Sequence, residues 1–457
     1  MKLGRNQVQR QVRIIPRLEF TDQQLTSFSG LILFQALFSK LKLKDRLSQC
    51  FQHLEIRRSY SHAVIVLGLV VHLLLGYRKL RDVRYYRKDP IVCRVLGLNQ
   101  MPGVSTISRV LGDMDKRSVE CLRDLCQELV LERIANLGLV RISLDFDGSV
   151  LGTCRWAEGA AIGFNKGKKG QRSYYPLFCT VAQTGQVFSF LHRSGNVHDS
   201  NGAQEFITDC VTRLREALPG ILIEVRMDSA FFSDATVSLL KRLDVEFTIT
   251  VPFERFVELK ERIEARRIWW RLNKNLSYFD LKWKPKSWDR RCRFIAVRQQ
   301  VKIQHKGPIQ LDLFIPIEHE YEFKVIVTNK TISARKVVVF HDGRGAQEAI
   351  FAELKSEGQM DYIPCRSLAG NQTYLLATIL AHNLNRELQM ATRRRSRKTT
   401  EKRAPLWRFE RLNTVRCKLI QLAGRLIRPQ GKLTLRLSVN ESIKNELLTY
   451  LAALQAT

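Results

Sequence analysis

Two apolar runs that each end in an acid constrain this chain most. Val140-Arg-Ile-Ser-Leu-Asp-Phe-Asp-Gly-Ser149 and Ile221-Leu-Ile-Glu-Val-Arg-Met-Asp-Ser229 read as buried strands, and each delivers an aspartate. Alternation along the first run puts Asp145 and Asp147 on one face, so spacing alone leaves open which of them a site would use. A third acid comes from His341-Asp-Gly-Arg-Gly-Ala-Gln-Glu-Ala-Ile-Phe-Ala-Glu-Leu-Lys355. If this segment is helical, Arg344, Glu348 and Lys355 fall within about 40° of one another, and Ile350, Phe351 and Leu354 can pack the helix against a sheet. A glutamate between two cations suits a metal ligand beside a phosphate clamp; a solvated face of i,i+4 ion pairs is the bland alternative. Two strand aspartates followed by a helical glutamate let three distant carboxylates converge on a pair of divalent ions.

That combination resembles the DDE transposases of bacterial insertion sequences. It points to the insertion-sequence-four clan, marked by Tyr-x2-Arg-x3-Glu-x6-Lys. Arg344, Glu348 and Lys355 match the spacing, and His341 stands at the tyrosine position. The Asp-x-Asp start, the Gly-Phe-Asn-Lys run at 163–166 and Leu380-Ala-His-Asn-Leu384 are similar to the insertion-sequence thirteen-eighty family. The resemblance covers roughly residues 140 to 390. It implies Asp147, Asp228 and Glu348 as catalytic metal ligands, with Asp147 favoured over Asp145 because the family places a small residue and then Ser or Thr after its aspartate. It also implies two Mg²⁺ ions, with Mn²⁺ as a substitute, and phosphate contacts from His341, Arg344 and Lys355.

The chain's 457 residues are enough for two or three domains, and 45% of them are apolar. A net charge of +31 answers a polyanion, with nucleic acid before an anionic membrane surface. Ten cysteines without a C-x2-C pair read as reduced thiols. The apolar run from Ala63 to Gly76 falls short of the roughly 20 residues that span a bilayer, so it reads as a buried helix and no membrane association is expected. The N-terminus lacks a signal-peptide core, which places the expected site of action in the bacterial cytoplasm, at the nucleoid.

Five parts are expected. Residues 1–138 read as a helical DNA-binding region: Tyr77 to Lys88 interleaves arginines with tyrosines, and Ser105 or a neighbour caps a helix similar to the recognition helix of a helix-turn-helix. Residues 139–252 form the first part of an α/β, ribonuclease-H-like mixed-sheet core, with strands at 175–181 and 187–191, a helix reaching Leu218 and capped by Asp199 or Ser200, and a strand at 245–251. The basic loop with Lys166, Lys168, Lys169 and Arg172 is either a solvated hairpin or a DNA-backbone contact. Residues 253–335 read as a β-rich insertion with strands at 293–297, 310–314 and 323–327; core packing is the expected fate of its four tryptophans, although the resemblance allows an aromatic there to receive an unstacked base. Residues 336–391 complete the core with the glutamate helix. Residues 392–457 form a basic C-terminal region, with an exposed run to Arg403 and a helix from Leu406 to Ile427.

The expected function is cut-and-paste transposition on double-stranded DNA, both terminal inverted repeats and target, by a homodimer on paired ends. A metal-dependent nuclease without strand joining and a non-catalytic DNA-binding derivative are the alternatives.

Overall fold

The structure is a computed structural model; it describes residues 15, 17–19, 23–55, 60–153, 156–163, 165, 167–197, 201–302, 319–398, 401–438 and 440–455. Nine strands form one mixed sheet: β1 (Arg141–Gly148), β2 (Leu177–Val181), β3 (Gln186–Leu191), β4 (Leu222–Met227), β5 (Glu246–Val251), β6 (Trp270–Arg271), β7 (Leu276–Trp283), β8 (Cys292–Lys302) and β9 (His319–Thr328). Their spatial order is β6-β7-β8-β9-β5-β4-β1-β2-β3. β1, β2 and β3 are an antiparallel meander, while β4 runs parallel to β1 and β5 parallel to β4. The expected β-rich insertion is part of this sheet, because β9 pairs antiparallel with β5 from Val325↔Val251 to Thr328↔Thr248. Trp283 and Trp288 are core residues, as expected, whereas Trp270 is 64% exposed. The expected strand at 310–314 lies outside the described residues.

Among the described residues, six α-helices precede the sheet: α1 (Leu31–Lys40), α2 (Leu43–Cys50), α3 (His62–Leu75), α4 (Pro90–Leu96), α5 (Val104–Gly112) and α6 (Lys116–Ala135). α3 is the apolar run read as a buried helix; Ser61 caps its start and Gly76, at φ 93°, ends it in the left-handed conformation that glycine tolerates. Among the described residues no helix is long and apolar enough to cross a membrane. The cap of α5 is Gly103, with no side-chain bond, so Ser105 does not serve as the N-cap. Between the strands lie α7 (Ala203–Ala217), α8 (Asp234–Arg242) and α9 (Val257–Glu264), and Gly202 occupies the N-cap of α7. Residues 198–200, expected to cap that helix, lie outside the described residues.

The segment from His341 to Lys355 is two helices rather than one. α10 (Ala334–Asp342) ends at Gly343, and α11 (Gly345–Ser356) starts after Arg344. Gly343 and Arg344 keep helical backbone angles, and the chain passes the junction through i→i−3 hydrogen bonds; glycine fits here because a Cβ at 343 would overlap the Arg226 guanidinium and the Lys402 carbonyl. His341 therefore belongs to α10 and points inward. It is 1% exposed, with Nε2 2.9 Å from the Thr250 hydroxyl and Nδ1 3.0 Å from the Thr248 hydroxyl. This corrects the expected DNA contact, because an imidazole sealed between α10 and β5 offers no nitrogen to a phosphate.

α12 (Leu368–Thr392) and α13 (Glu441–Gln455) close the fold. Residues from α1, α3, α11, α12 and α13 share one hydrophobic cluster, so the N-terminal helices are packed with the helices that follow the sheet. The expected helix from Leu406 to Ile427 is absent: a short helix, Leu412–Val415, passes through a π turn at Arg416–Ile420 into the strand Gly424–Ile427, which pairs with both Leu25–Thr26 and Thr434–Leu437. The basic run after α12 is likewise tied down where it is described. Arg393 pairs with Glu410 at 3.1 Å, Arg395 donates to the Leu137 carbonyl, and Arg403 pairs with the buried Glu224 at 2.8 Å.

Two outcomes follow from this packing. Gly343→Ala should lower stability by about 1–3 kcal/mol through overpacking, whereas Gly345→Ala, with open space at its Cβ, should be neutral or slightly stabilising; equal melting temperatures for the two variants would contradict the steric requirement for glycine at 343. The second outcome concerns pH. Burial, and then Lys324, Arg344 and Arg226, hold the His341 imidazole well below its ordinary 6.5, and burial lowers His72 and His382 to about 4. Each stays neutral when folded and takes up a proton when unfolded, so their contribution is present above pH 6.5 and is lost as pH falls toward 4. Calorimetric melts should show a shallower loss over that window in His341→Gln than in the parent; identical slopes would refute the assignment.

Candidate metal and phosphate site

The site forms at the C-terminal ends of the central parallel strands. β1 and β4 pair in unbroken register from Arg141↔Leu222 to Phe146↔Met227. Asp147, the next residue of β1, and Asp228, which caps the turn after β4, are the residues that follow this paired run. Beneath them, Asp145 and Arg226 are also register partners, and they form a buried bidentate pair at 2.5 and 2.7 Å. Burial raises the Asp145 carboxyl, with Arg226 and Arg344 opposing it. Both oxygens of Asp145 are thus committed inside the protein at 1% exposure, while Asp147 reaches the rim. The two aspartates share a face of the strand, but one serves the core and the other faces the site.

α11 delivers the third acid. Gln347 donates to the Asp145 carbonyl at 2.9 Å, and Phe351 packs on Phe178 of β2 with ring centroids 5.2 Å apart. Ile350, Phe351 and Leu354 are buried as the helical pattern predicts. At the start of the helix Arg344 meets Asp147: it lies 3.0 Å from Asp147 and 3.7 Å from Glu348. Lys355 lies close enough to Asp147 and Asp361 for both to oppose the lowering that burial imposes on its ammonium. Asp228 accepts from the Ala230 amide at 3.1 Å, which caps the short turn Ser229–Phe231.

Sequence reading missed Lys324. It projects from β9 and pairs with Asp342 at 3.6 Å, and its charge is felt by His341. It also feels Arg344 and Glu348, while burial, foremost, lowers its own ammonium. Nothing local marks this lysine, because only the pairing of β9 with β5 carries it to α10 and α11.

The basic loop after β1 is only partly described. Lys166 lies outside the described residues, and Lys168 and Lys169 are exposed. Arg172 donates to the Ala160 carbonyl at 2.8 Å and lies over the Trp156 ring, 3.6 Å from its centroid.

Oxygen donors at strand ends have the chemistry of a site for a hard divalent cation. In this arrangement, however, no three His, Cys, Asp or Glu side chains among the described residues form a group that could hold a metal. Arg344 bridges Asp147 and Glu348, with Lys355 also close to Asp147 and Lys324 to Glu348, so these carboxylates are already answered by cations of the chain.

A comparison with curated proteins finds no match. Among solved structures, the chain is similar to a piggyBac transposase synaptic complex with hairpin DNA, at 13% identity and a TM-score of 0.37 over 78% of this chain and 75% of that one. It is also similar to the Mos1 mariner paired end complex with Mn, at 13% identity and a TM-score of 0.18 over 42% of this chain and 60% of that one. Both likenesses are distant, and the site above rests on this chain's own strands and helices. The family comparison is direct: residues 8–457 match the transposase DDE domain group 1, and the chain belongs to that family.

Proposed function

We propose that this protein excises and inserts a bacterial insertion sequence by cut-and-paste phosphoryl transfer. The observation that carries the reading is that the paired run of β1 and β4 leads into Asp147 and Asp228, while Arg344 links Asp147 to Glu348. The strand order β3-β2-β1-β4-β5, with β4 and β5 parallel to β1, supports a ribonuclease-H-like core. The signature spacing of Arg344, Glu348 and Lys355 supports membership of the insertion-sequence thirteen-eighty type.

In this reading Asp147, Asp228 and Glu348 would hold two divalent ions, Mg²⁺ or in its place Mn²⁺, which when bound would supply Lewis-acid stabilisation of the phosphoryl oxygens and activation of water or a 3′-hydroxyl. The chain's own groups do the rest. Arg344 exchanges its carboxylate partners for a phosphate of the DNA end, and the half-buried Lys355 supplies a second cation to the same strand. Lys324 adds a third positive charge at the rim beside Glu348. Lys168, Lys169 and Arg172 contact the backbone of the bound duplex, and Lys166 joins them by its place in the loop. His341 holds the end of α10 against β5 and takes no part in DNA contact. Two ends have to be joined, which favours a homodimer acting on terminal inverted repeats and target DNA in the cytoplasm.

The test is incubation with a duplex carrying the element's own ends, a target plasmid and Mg²⁺ or Mn²⁺. The parent protein should cut and join. Asp228→Asn and Glu348→Gln should each lose about 10³-fold or more in cleavage while binding DNA within about threefold of the parent. Parent-like cutting by either variant removes that residue from the site, and cutting without joining selects a nuclease on the same fold.

A further inference from the structure

A second cationic feature lies on elements that carry none of the three carboxylates. A groove of about 1180 Å³ runs between the turn that follows the 3-10 helix Leu80–Tyr85 and the hairpin Gly424–Leu437. Arg84, Arg87 and Lys88 line one wall; Arg425 and Arg436 line the other. All five are exposed, and none forms a salt bridge among the described residues. The groove's single carboxylate is already committed: Asp89 accepts from the Thr26 hydroxyl at 2.9 Å and from the amides of Ser27, Ile91 and Val92, capping α4.

The opposite wall makes a stronger point. Arg425 and Arg436 are direct cross-strand partners, and like charges in that relation destabilise a hairpin unless an anion lies between or above them. Arg87 and Arg425 are anchored through Nε to the carbonyls of Met101 and Gln23 at 3.1 and 3.2 Å, so their guanidinium groups are held in place at the groove. Tyr85, 64% exposed and stacked on Tyr77, adds a flat polar edge. Five cations on two walls against one carboxylate, Asp89, match a polyanion whose charges recur at fixed spacing.

We infer that this groove is a second DNA-binding site that takes the phosphate backbone of a duplex, formed jointly by residues 84–88 and the C-terminal hairpin. It rests on the reading of the protein as DNA-acting, and it assigns to the hairpin a role that the carboxylate site does not need. Its consequence is that a bound duplex spans the first and last parts of the chain.

The test uses the full chain and a fluorescein-labelled random-sequence duplex, with anisotropy followed across a KCl series. Arg425→Ala/Arg436→Ala should weaken binding about tenfold at physiological salt, and each cation removed should flatten the log–log salt slope by about 0.9. Arg425→Lys/Arg436→Lys should keep the slope. Lys88→Gln, an exposed side chain with no partner to lose among the described residues, should lower the slope by about 0.9 with no change in melting temperature, which keeps the test valid if the double alanine variant misfolds. Parent-like affinity and slope in Lys88→Gln and in a folded double alanine variant would overturn the groove as a duplex site. So would preferential binding of the parent to single strands or to phosphatidylserine vesicles, with the duplex unable to compete. Failure of the parent to bind any DNA would instead overturn the DNA-acting reading on which the groove depends, so the two failures are distinct.

Discussion

The buried pair between Arg226 and Asp145 is the interaction on which the rest of the architecture turns. Arg226 is fully buried, and beyond Asp145 it donates to the carbonyls of Phe340, at the end of α10, and Lys402, in the basic run after α12. One guanidinium thus joins two strands, a helix end and a segment from far along the chain. A charge so placed is tolerable only with its partners in position, and removing one of them from such a pair costs about 3–5 kcal/mol. The same group lies against Gly343, where a Cβ would not fit, at the junction of α10 and α11. Arg344, which bridges Asp147 and Glu348, follows directly on this crowded point.

A second buried network reinforces this arrangement from the other end of the strands. Glu224 is fully buried and accepts from Ser143 at 2.8 Å, Lys330 at 2.7 Å and Arg403 at 2.8 Å. Burial works to raise its carboxyl, but Arg403 and Lys330 outweigh that and hold it below its ordinary value. Together Glu224 and Asp145 tie β4 and β1 to the C-terminal basic run, and the paired run of those strands leads into Asp147 and Asp228. Cations that look like a DNA-binding tail in composition are here partly consumed in holding the sheet. The unpaired cations lie elsewhere, which is why net charge alone does not locate the surface for DNA.

Much of this was legible in the sequence, for identifiable reasons. The apolar runs around Leu144 and Val225 specify parallel neighbours, and the 3.6-residue spacing of Ile350, Phe351 and Leu354 specifies the buried side of α11, because burial periodicity is a local signal. What failed was decided by tertiary packing. Motif spacing carries no signal of burial at position 341, so the resemblance puts His341 at the DNA, although the chain turns it inward against Thr248 and Thr250. Alternation could not separate Asp145 from Asp147; Arg226, the cross-strand neighbour of Asp145, does. The stretch 406–427 has helical composition, yet Trp407 is buried beside Leu406 and Met390, and Gly424 enters a strand that pairs with Leu25–Thr26. Lys324 was invisible because its partners arrive from another part of the sheet.

The measurement that bears most directly on this account compares Asp145→Asn with Asp147→Asn for two properties at once, melting temperature and Mn²⁺ binding by calorimetry. If Asp145 holds the core and Asp147 faces the site, Asp145→Asn melts well below the parent because Arg226 loses its charged partner, while Asp147→Asn keeps the parent's melting temperature and loses Mn²⁺ binding. A parent-like melt for Asp145→Asn, together with undiminished Mn²⁺ binding by Asp147→Asn, would contradict the division of labour on which both the fold and the proposed chemistry rest.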